Sequence, residues 1–150
     1  GERVRFLEEE SIVLEIKGKK IGLVGSKGVL EEPVDGGVMG VWGLYDDRRA
    51  EIESRLVELK KKGVDIVVLL THYAPTYKTL EGEPEYLYPV CGSDSMERVL
   101  KRLRPDFCVH GHAHFGKELA FVDGIPVFNV AFPVNRKIVL IDTENLPKKE

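Results

Sequence analysis

Short apolar stretches separated by glycine and charged residues recur along the chain and predict alternating strands and helices. Near the start, residues 4–7, 12–16 and 21–24 are rich in β-branched side chains, which favours strands. Lys17-Gly18-Lys19 separates the last two and is typical of a hairpin connection, so we expect antiparallel neighbours there. Residues 25–43 are rich in glycine and lack periodicity, which predicts a long loop near a site.

Apolar positions at helical spacing predict two main helices. The first should begin at Asp46 or Asp47, where an acidic side chain can cap the helix, and should stop at Gly63. The second should open at Asp94 and end before Pro105. Basic residues in the last turn of the first helix and on the outer face of the second favour a helix-end or solvated role over a nucleic-acid surface.

The remaining pattern predicts further strands and one unusually long loop. The strands are expected at 65–70, 107–109, 118–122, 125–130 and 137–141, with Asp123-Gly124 as a hairpin turn. Residues 73–92 carry four tyrosines and form either a lid or binding segment or an ordered connection. The expected class is α/β, with two main helices and about eight strands.

Composition narrows the class of protein. A chain of 150 residues, 43% hydrophobic and 31% charged, is expected to fold as one globular unit. No apolar run approaches the roughly 18 residues of a membrane span and no leader opens the chain, so a cytoplasmic location without a membrane partner is expected. A net charge of −3 argues against tight binding to duplex nucleic acid. Cys91 and Cys108 lack metal-ligand spacing and are expected to be packed thiols.

All four histidines of the chain lie in two short segments, THYAP at 71–75 and HGHAH at 110–114. Each segment follows an apolar strand, so both should emerge at carboxyl ends of strands, where open α/β sheets bind ligands. If the chain is extended there, either His110 and His112 or His112 and His114 point to one side, with Cα atoms about 6–7 Å apart. Imidazoles so spaced can serve two metal ions about 3.5–4 Å apart.

A strand followed by a T-H-x-x-P-like segment, and then G-H-x-H about forty residues later, resembles the last two motifs of the calcineurin-like metallophosphoesterases. The resemblance implies an α/β fold, the C-terminal part of that family's β-sandwich flanked by helices, with residues 1–150 inside a single domain. It also implies that His72 and His112 share one metal ion and that His114 binds the other. In an alternative register, His72 and His110 hold one ion and His112 holds the second.

The family's earlier motifs, D-x-H, G-D-x-x-D and G-N-H-D/E, do not occur in this sequence. In the family they supply acidic and further ligands, so this chain is expected to be inactive unless the missing N-terminal half of the domain joins it as a partner. The implied enzyme would hydrolyse a phosphomonoester or phosphodiester by a metal-bound hydroxide, with two divalent transition-metal ions such as Mn, Fe, Zn or Ni. The sequence identifies no catalytic side chain besides these ligands.

Two alternatives remain open. A degenerate module would keep the same fold as a scaffold or binding unit without chemistry. Gly25-Ser26-Lys27-Gly28 fits the G-x-x-G loop of the RNA-binding KH domains, but that loop needs flanking helices and the preceding residues predict a strand. Nucleic acid is therefore not expected as a binding partner, although it belongs with nucleotides, phospholipid head groups and phosphoproteins among the phosphoester substrates of the family.

Overall fold

The computed structural model describes residues 4–32 and 40–149, and for residues 40–42 it describes the backbone alone. In chain order, its strands and α-helices are β1 (Glu10–Ile16), β2 (Lys19–Ser26), α1 (Gly40–Lys62), β3 (Ile66–Thr71), α2 (Tyr88–Cys91), α3 (Met96–Leu103), β4 (Phe107–His110), β5 (Leu119–Val122), β6 (Ile125–Asn129) and α4 (Phe132–Asn135). Two single-turn 3₁₀ helices, Lys78–Leu80 and Glu85–Leu87, precede α2. No helix formed by these residues is long and apolar enough to cross a bilayer.

Six strands form one mixed sheet in the order β1-β2-β3-β4-β6-β5. The four inner strands β2, β3, β4 and β6 are parallel, and the two edge strands are antiparallel to their neighbours. Parallel strands are stable when both faces are covered. Here α1 and α3 cover one face, where Leu56 and Leu100 join the core around Leu69. On the other face, Ile141 and Leu146 pack against a smaller apolar cluster.

Both predicted hairpins are confirmed. Lys17 and Gly18 connect β1 to β2 with φ values of 51° and 79°, and Asp123 and Gly124 connect β5 to β6 with 49° and 81°. Positive φ at both central residues is the property of the type I′ turn, whose twist matches that of the flanking strands. Local turn chemistry is therefore sufficient to place these four strands in pairs.

The first helix is longer than its sequence pattern indicates. It begins at Gly40, before the predicted start at Asp46 or Asp47, and it ends at Lys62. Gly40 and Gly43 have low helix propensity, which concealed the first turns. Gly63 follows with φ +65°, the left-handed conformation that favours glycine after a helix. Of the predicted loop at 25–43, residues 33–39 lie outside the described residues, residues 27–32 belong to no helix or strand, and the two ends belong to β2 and α1.

The α/β class is confirmed, but two predicted strands do not form. Residues 4–7 and 137–141 join no strand ladder, so the described part of the chain holds six strands, in one sheet, instead of about eight. A strand-forming sequence becomes a strand only when a neighbour accepts and donates its backbone hydrogen bonds. Cys91 and Cys108 are both free and buried, as predicted.

Candidate metal site at the carboxyl edge of the sheet

The carboxyl ends of the inner strands bring four polar residues into one row. Ser26, Thr71, His110 and Asn129 are direct partners across β2, β3, β4 and β6. All four are buried, and each makes a side-chain hydrogen bond. Partners in register point to the same face of a sheet, so this polar row lies together beneath the edge where both histidine segments emerge.

The rings of His72 and His112 lie close together at the carboxyl edge of the sheet, next to the polar row. His72 follows β3 directly, and His112 lies two residues after β4. Their ring centroids are 4.8 Å apart, and the ring of Tyr73 lies 5.2 Å from that of His112. His72 is exposed and His112 is half-buried. Two imidazoles this close and open to solvent have the chemistry and spacing to bind one transition-metal ion.

The backbone at His112 is not extended, so the expected alternation along 110–114 is wrong. His112 has φ +64°, and the amide of Ala113 donates to the carbonyl of Gly111 at 2.7 Å. A hydrogen bond between residues on either side of a positive-φ residue defines the rare and strained form of the γ-turn. We call residues 111–113 the His112 turn. Because of this turn, the ring of His110 is buried whereas the ring of His112 is half-buried. His114 is exposed in the turn that follows.

His110 is completely buried, and both of its ring nitrogens are in hydrogen bonds. Nδ1 lies 2.7 Å from the carbonyl oxygen of Gly111, and Nε2 lies 2.8 Å from Oγ1 of Thr79. A carbonyl only accepts, so Nδ1 carries the proton and the Thr79 hydroxyl donates to Nε2. Burial lowers the pKa of His110 to about 4, which keeps the ring neutral at pH 7. In this arrangement His110 offers no free nitrogen to an ion.

The long loop, residues 73–92, is an ordered connection that packs on the His112 turn. The carbonyl of Val90 lies 3.4 Å from Nε2 of His112, and the carbonyl of Thr79 accepts from the amide of Lys117 at 2.9 Å. The amide of Phe115 donates to Glu83 at 2.9 Å. The structure therefore shows an ordered connection, while a role of this loop as a lid or binding segment stays a prediction.

Only one of the four loop tyrosines lies against the histidine pair. Tyr73 contacts both rings, whereas Tyr77 and Tyr88 pack against each other with centroids 5.4 Å apart. Tyr86 is exposed on the surface. Tyrosine content alone did not distinguish a residue at the site from residues that pack the loop.

Lys27 borders the site, and the sequence pattern did not single it out there. Its carbonyl accepts from the amides of His72 and Tyr73 at 3.2 and 2.9 Å, and its Nζ lies 5.7 Å from the centre of the Tyr73 ring. Although His72 is exposed, its pKa is lowered first because neighbouring groups remove part of the water around its ring, and then by the positive charges of His112, Lys27 and His114. A lowered pKa favours the neutral imidazole, which is the form that binds metal.

The histidine pair is not a complete ligand set. Among residues 4–32 and 40–149, no three side chains of His, Cys, Asp or Glu are grouped so that they could hold an ion. Neutral imidazoles suit a transition metal, but a stable site needs about four ligands. The described residues therefore place His72 and His112 together, His114 on the adjoining turn and His110 underneath.

Two further residues at this edge were missed by sequence reasoning. Thr79 orients His110, and Asn129 donates from Nδ2 to the carbonyl of Ala113 at 2.8 Å. Asn129 ends an apolar strand, which is the same signal that identified His72, so it could have been found. Thr79 lies in the long loop and has no signal of this kind.

Comparison with known proteins gives a family and a fold. A sequence model described as calcineurin-like phosphoesterase matches residues 12–116. A solved structure described as "Putative 5'-Nucleotidase from Staphylococcus aureus in complex with alpha-ketoglutarate" is similar, with a TM-score of 0.51 and 14% identity. The match covers 81% of this chain and only 23% of that one, and at this identity it shows a shared fold alone. No curated protein sequence matches the chain significantly.

Proposed function

Because the chain belongs to the calcineurin-like phosphoesterase family, we propose that it provides the histidine ligands of a metal-dependent enzyme that hydrolyses a phosphomonoester or phosphodiester. Members of this family generally use divalent metal ions. The observation that carries the proposal is the approach of His72 and His112, whose ring centroids lie 4.8 Å apart at the carboxyl edge of two parallel strands. That edge is where α/β sheets bind ligands.

The proposed ligands are His72 and His112 on one ion and His114 on a second. His110 is not assigned as a ligand because both of its nitrogens are already hydrogen bonded. Two divalent ions held by these histidines and by further ligands would supply Lewis-acid activation of a phosphoester and of the attacking water. Lys27 offers a positive charge at the same edge, where it can attract the oxygens of an anionic substrate.

We propose that residues 1–150 are the C-terminal part of one domain and that the N-terminal half of that domain supplies the acidic ligands. The sequence contains none of the motifs D-x-H, G-D-x-x-D or G-N-H-D/E. In the described part of the chain, no Asp or Glu joins His72 and His112 in a group able to hold an ion. Two imidazoles leave an ion short of ligands, so the chain alone should be inactive.

Metal binding by the 150-residue chain tests the ligand assignment. Cobalt(II) titration, followed by calorimetry and visible absorption, should give a dissociation constant that rises at least tenfold in His72→Ala and in His112→Ala, because each removes half of the pair. His114→Ala should affect only the binding of a second, more weakly held cobalt ion. Lys137→Gln, a change far along the chain at an exposed position, is the control and should leave the curve unchanged. Unaltered binding in both His72→Ala and His112→Ala contradicts the assignment.

Hydrolysis tests the enzyme itself. Joined to an N-terminal half that carries the acidic motifs, the chain should cleave bis-p-nitrophenyl phosphate when a divalent metal is supplied, and His112→Ala should remove most of that activity. A degenerate scaffold is the second candidate, because the described residues hold no complete ligand set. The joined protein would then bind no stoichiometric metal and cleave nothing. An RNA-binding KH loop has little support, because Gly25 and Ser26 are the last residues of β2.

A further inference from the structure

The His112 turn is held from both sides by buried side chains. The carbonyl of Gly111 accepts from Nδ1 of His110 at 2.7 Å, and the carbonyl of Ala113 accepts from Nδ2 of Asn129 at 2.8 Å. Both donors belong to the polar row, with 0% and 1% of their surface exposed. A residue other than glycine stays at positive φ only when its surroundings hold it there, and these two bonds flank His112 directly.

Each of the two donors is itself oriented by a neighbour. The Thr79 hydroxyl donates to Nε2 of His110 and so selects the tautomer that presents Nδ1–H to the turn. Oδ1 of Asn129 accepts from the amide of Ala131 at 3.2 Å, which directs its amide group toward the carbonyl of Ala113. His110 and Asn129 are also partners in the β4–β6 ladder, so both bonds start from rigid backbone.

We infer that Thr79 and Asn129, acting with His110, are positioning residues that hold the His112 turn in the form that presents the His112 ring beside His72. The metal-binding part of this inference rests on the proposed function. None of the three needs to touch an ion or substrate. When a residue that orients a metal ligand by a hydrogen bond is removed, metal affinity typically falls about 10- to 100-fold.

The long loop offers a matched pair of substitutions. Thr79 and Thr76 are both completely buried. Thr79 bonds His110, whereas Thr76 donates to Glu97 on α3 at 2.6 Å and makes no hydrogen bond to the turn. Thr79→Val and Thr76→Val therefore each remove one buried hydroxyl from the same loop, and only the first removes the contact to His110. Thr79→Ser restores that donor.

Cobalt(II) titration and amide hydrogen exchange of the 150-residue chain test the inference. We expect Thr79→Val to raise the cobalt dissociation constant about tenfold or more, with Thr76→Val and Thr79→Ser close to wild type. We also expect faster exchange of the Ala113 amide, which closes the turn, in Thr79→Val alone. Measurements at a temperature where circular dichroism shows each variant folded separate this effect from lost stability.

Different outcomes separate the inference from the function it rests on. Equal effects of Thr76→Val and Thr79→Val, or no change in Ala113 exchange in Thr79→Val, overturn the positioning role. If the wild-type chain binds no cobalt, or His112→Ala binds it as tightly as wild type, the ligand assignment fails. The exchange of Ala113, which requires no metal, still decides whether Thr79 holds the turn.

Discussion

Among single residues, His110 is unusual because it is a histidine with no exposed surface. It remains neutral because burial opposes the charged form, and its two hydrogen bonds need only one ring proton. A buried polar group satisfied in this way is costly to disturb, since the interior offers no water to replace a lost partner. The residue therefore couples protonation to stability.

Acid should destabilise the folded chain through His110. Its pKa is about 4 in the folded state against 6.5 for an unburied histidine, so below pH 6.5 the unfolded chain binds a proton that the folded chain does not. The stability present above pH 6.5 is then lost as the pH falls toward 4, by about 3 kcal/mol in full. Urea unfolding of wild type and His110→Gln at pH 7.5 and 4.5 measures this, because the other groups are common to both proteins. Equal losses of unfolding free energy in wild type and His110→Gln would contradict this role of His110.

Among elements, the long loop packs closely against the segment after β4. A side chain at Gly116 would meet the carbonyl oxygen of Thr79, and one at Gly82 would meet the carbonyl oxygen of Phe115. Backbone approaches this close require glycine. They also place Thr79 where its hydroxyl reaches His110, so the packing of two irregular segments sets the geometry of the site.

Two glycine substitutions should have opposite effects on stability. Gly116→Ala would place a methyl group against the carbonyl oxygen of Thr79, force the long loop away from the segment after β4, and lower the free energy of unfolding by about 1–3 kcal/mol. Gly43→Ala lies in α1 with no atom within 4 Å of the added methyl group, so it should raise the free energy by about 0.5–1 kcal/mol. Both substitutions lower the conformational entropy of the unfolded chain by the same amount, because each replaces one glycine by alanine. The midpoints of urea unfolding of the two variants can therefore be compared directly. Destabilisation by Gly43→Ala to the same extent would exclude this account.

For the whole molecule, exposed apolar side chains lie on two segments that the sequence predicted to be strands, residues 4–7 and 137–141. Ile138 and Leu140 are 85% and 91% exposed, and Val4 and Phe6 are 67% and 84% exposed. Exposed apolar side chains on strand-forming segments are a common cause of association between chains.

Self-association of the isolated chain should depend on this surface. Replacing Ile138 and Leu140 by lysine together should shift sedimentation at high concentration toward monomer, because it removes the apolar contacts and adds charge. Lys137→Gln alters the charge of the same segment without touching an apolar side chain, and it should leave association unchanged. A wild-type chain that is monomeric at every concentration would show that this surface does not drive association.

Local chemistry was sufficient for much of the fold. The sequence by itself determined both hairpins, since Lys17-Gly18 and Asp123-Gly124 are turns whose conformation depends on the residues within them. It also determined the α/β class and the emergence of both histidine segments at strand ends, because apolar runs of strand length are recognised without a partner. The family followed from the same two histidine segments.

Only the tertiary structure decided the details that depend on distant neighbours. Residues 137–141 have a strand pattern, but no strand in the described part of the chain pairs with them. His110 and His112 are equivalent by spacing, yet one is buried against Thr79 and the other turns to face His72. Backbone pairing and side-chain burial are set by residues far away in sequence, so a local pattern shows which residues reach the site without showing which of them face it.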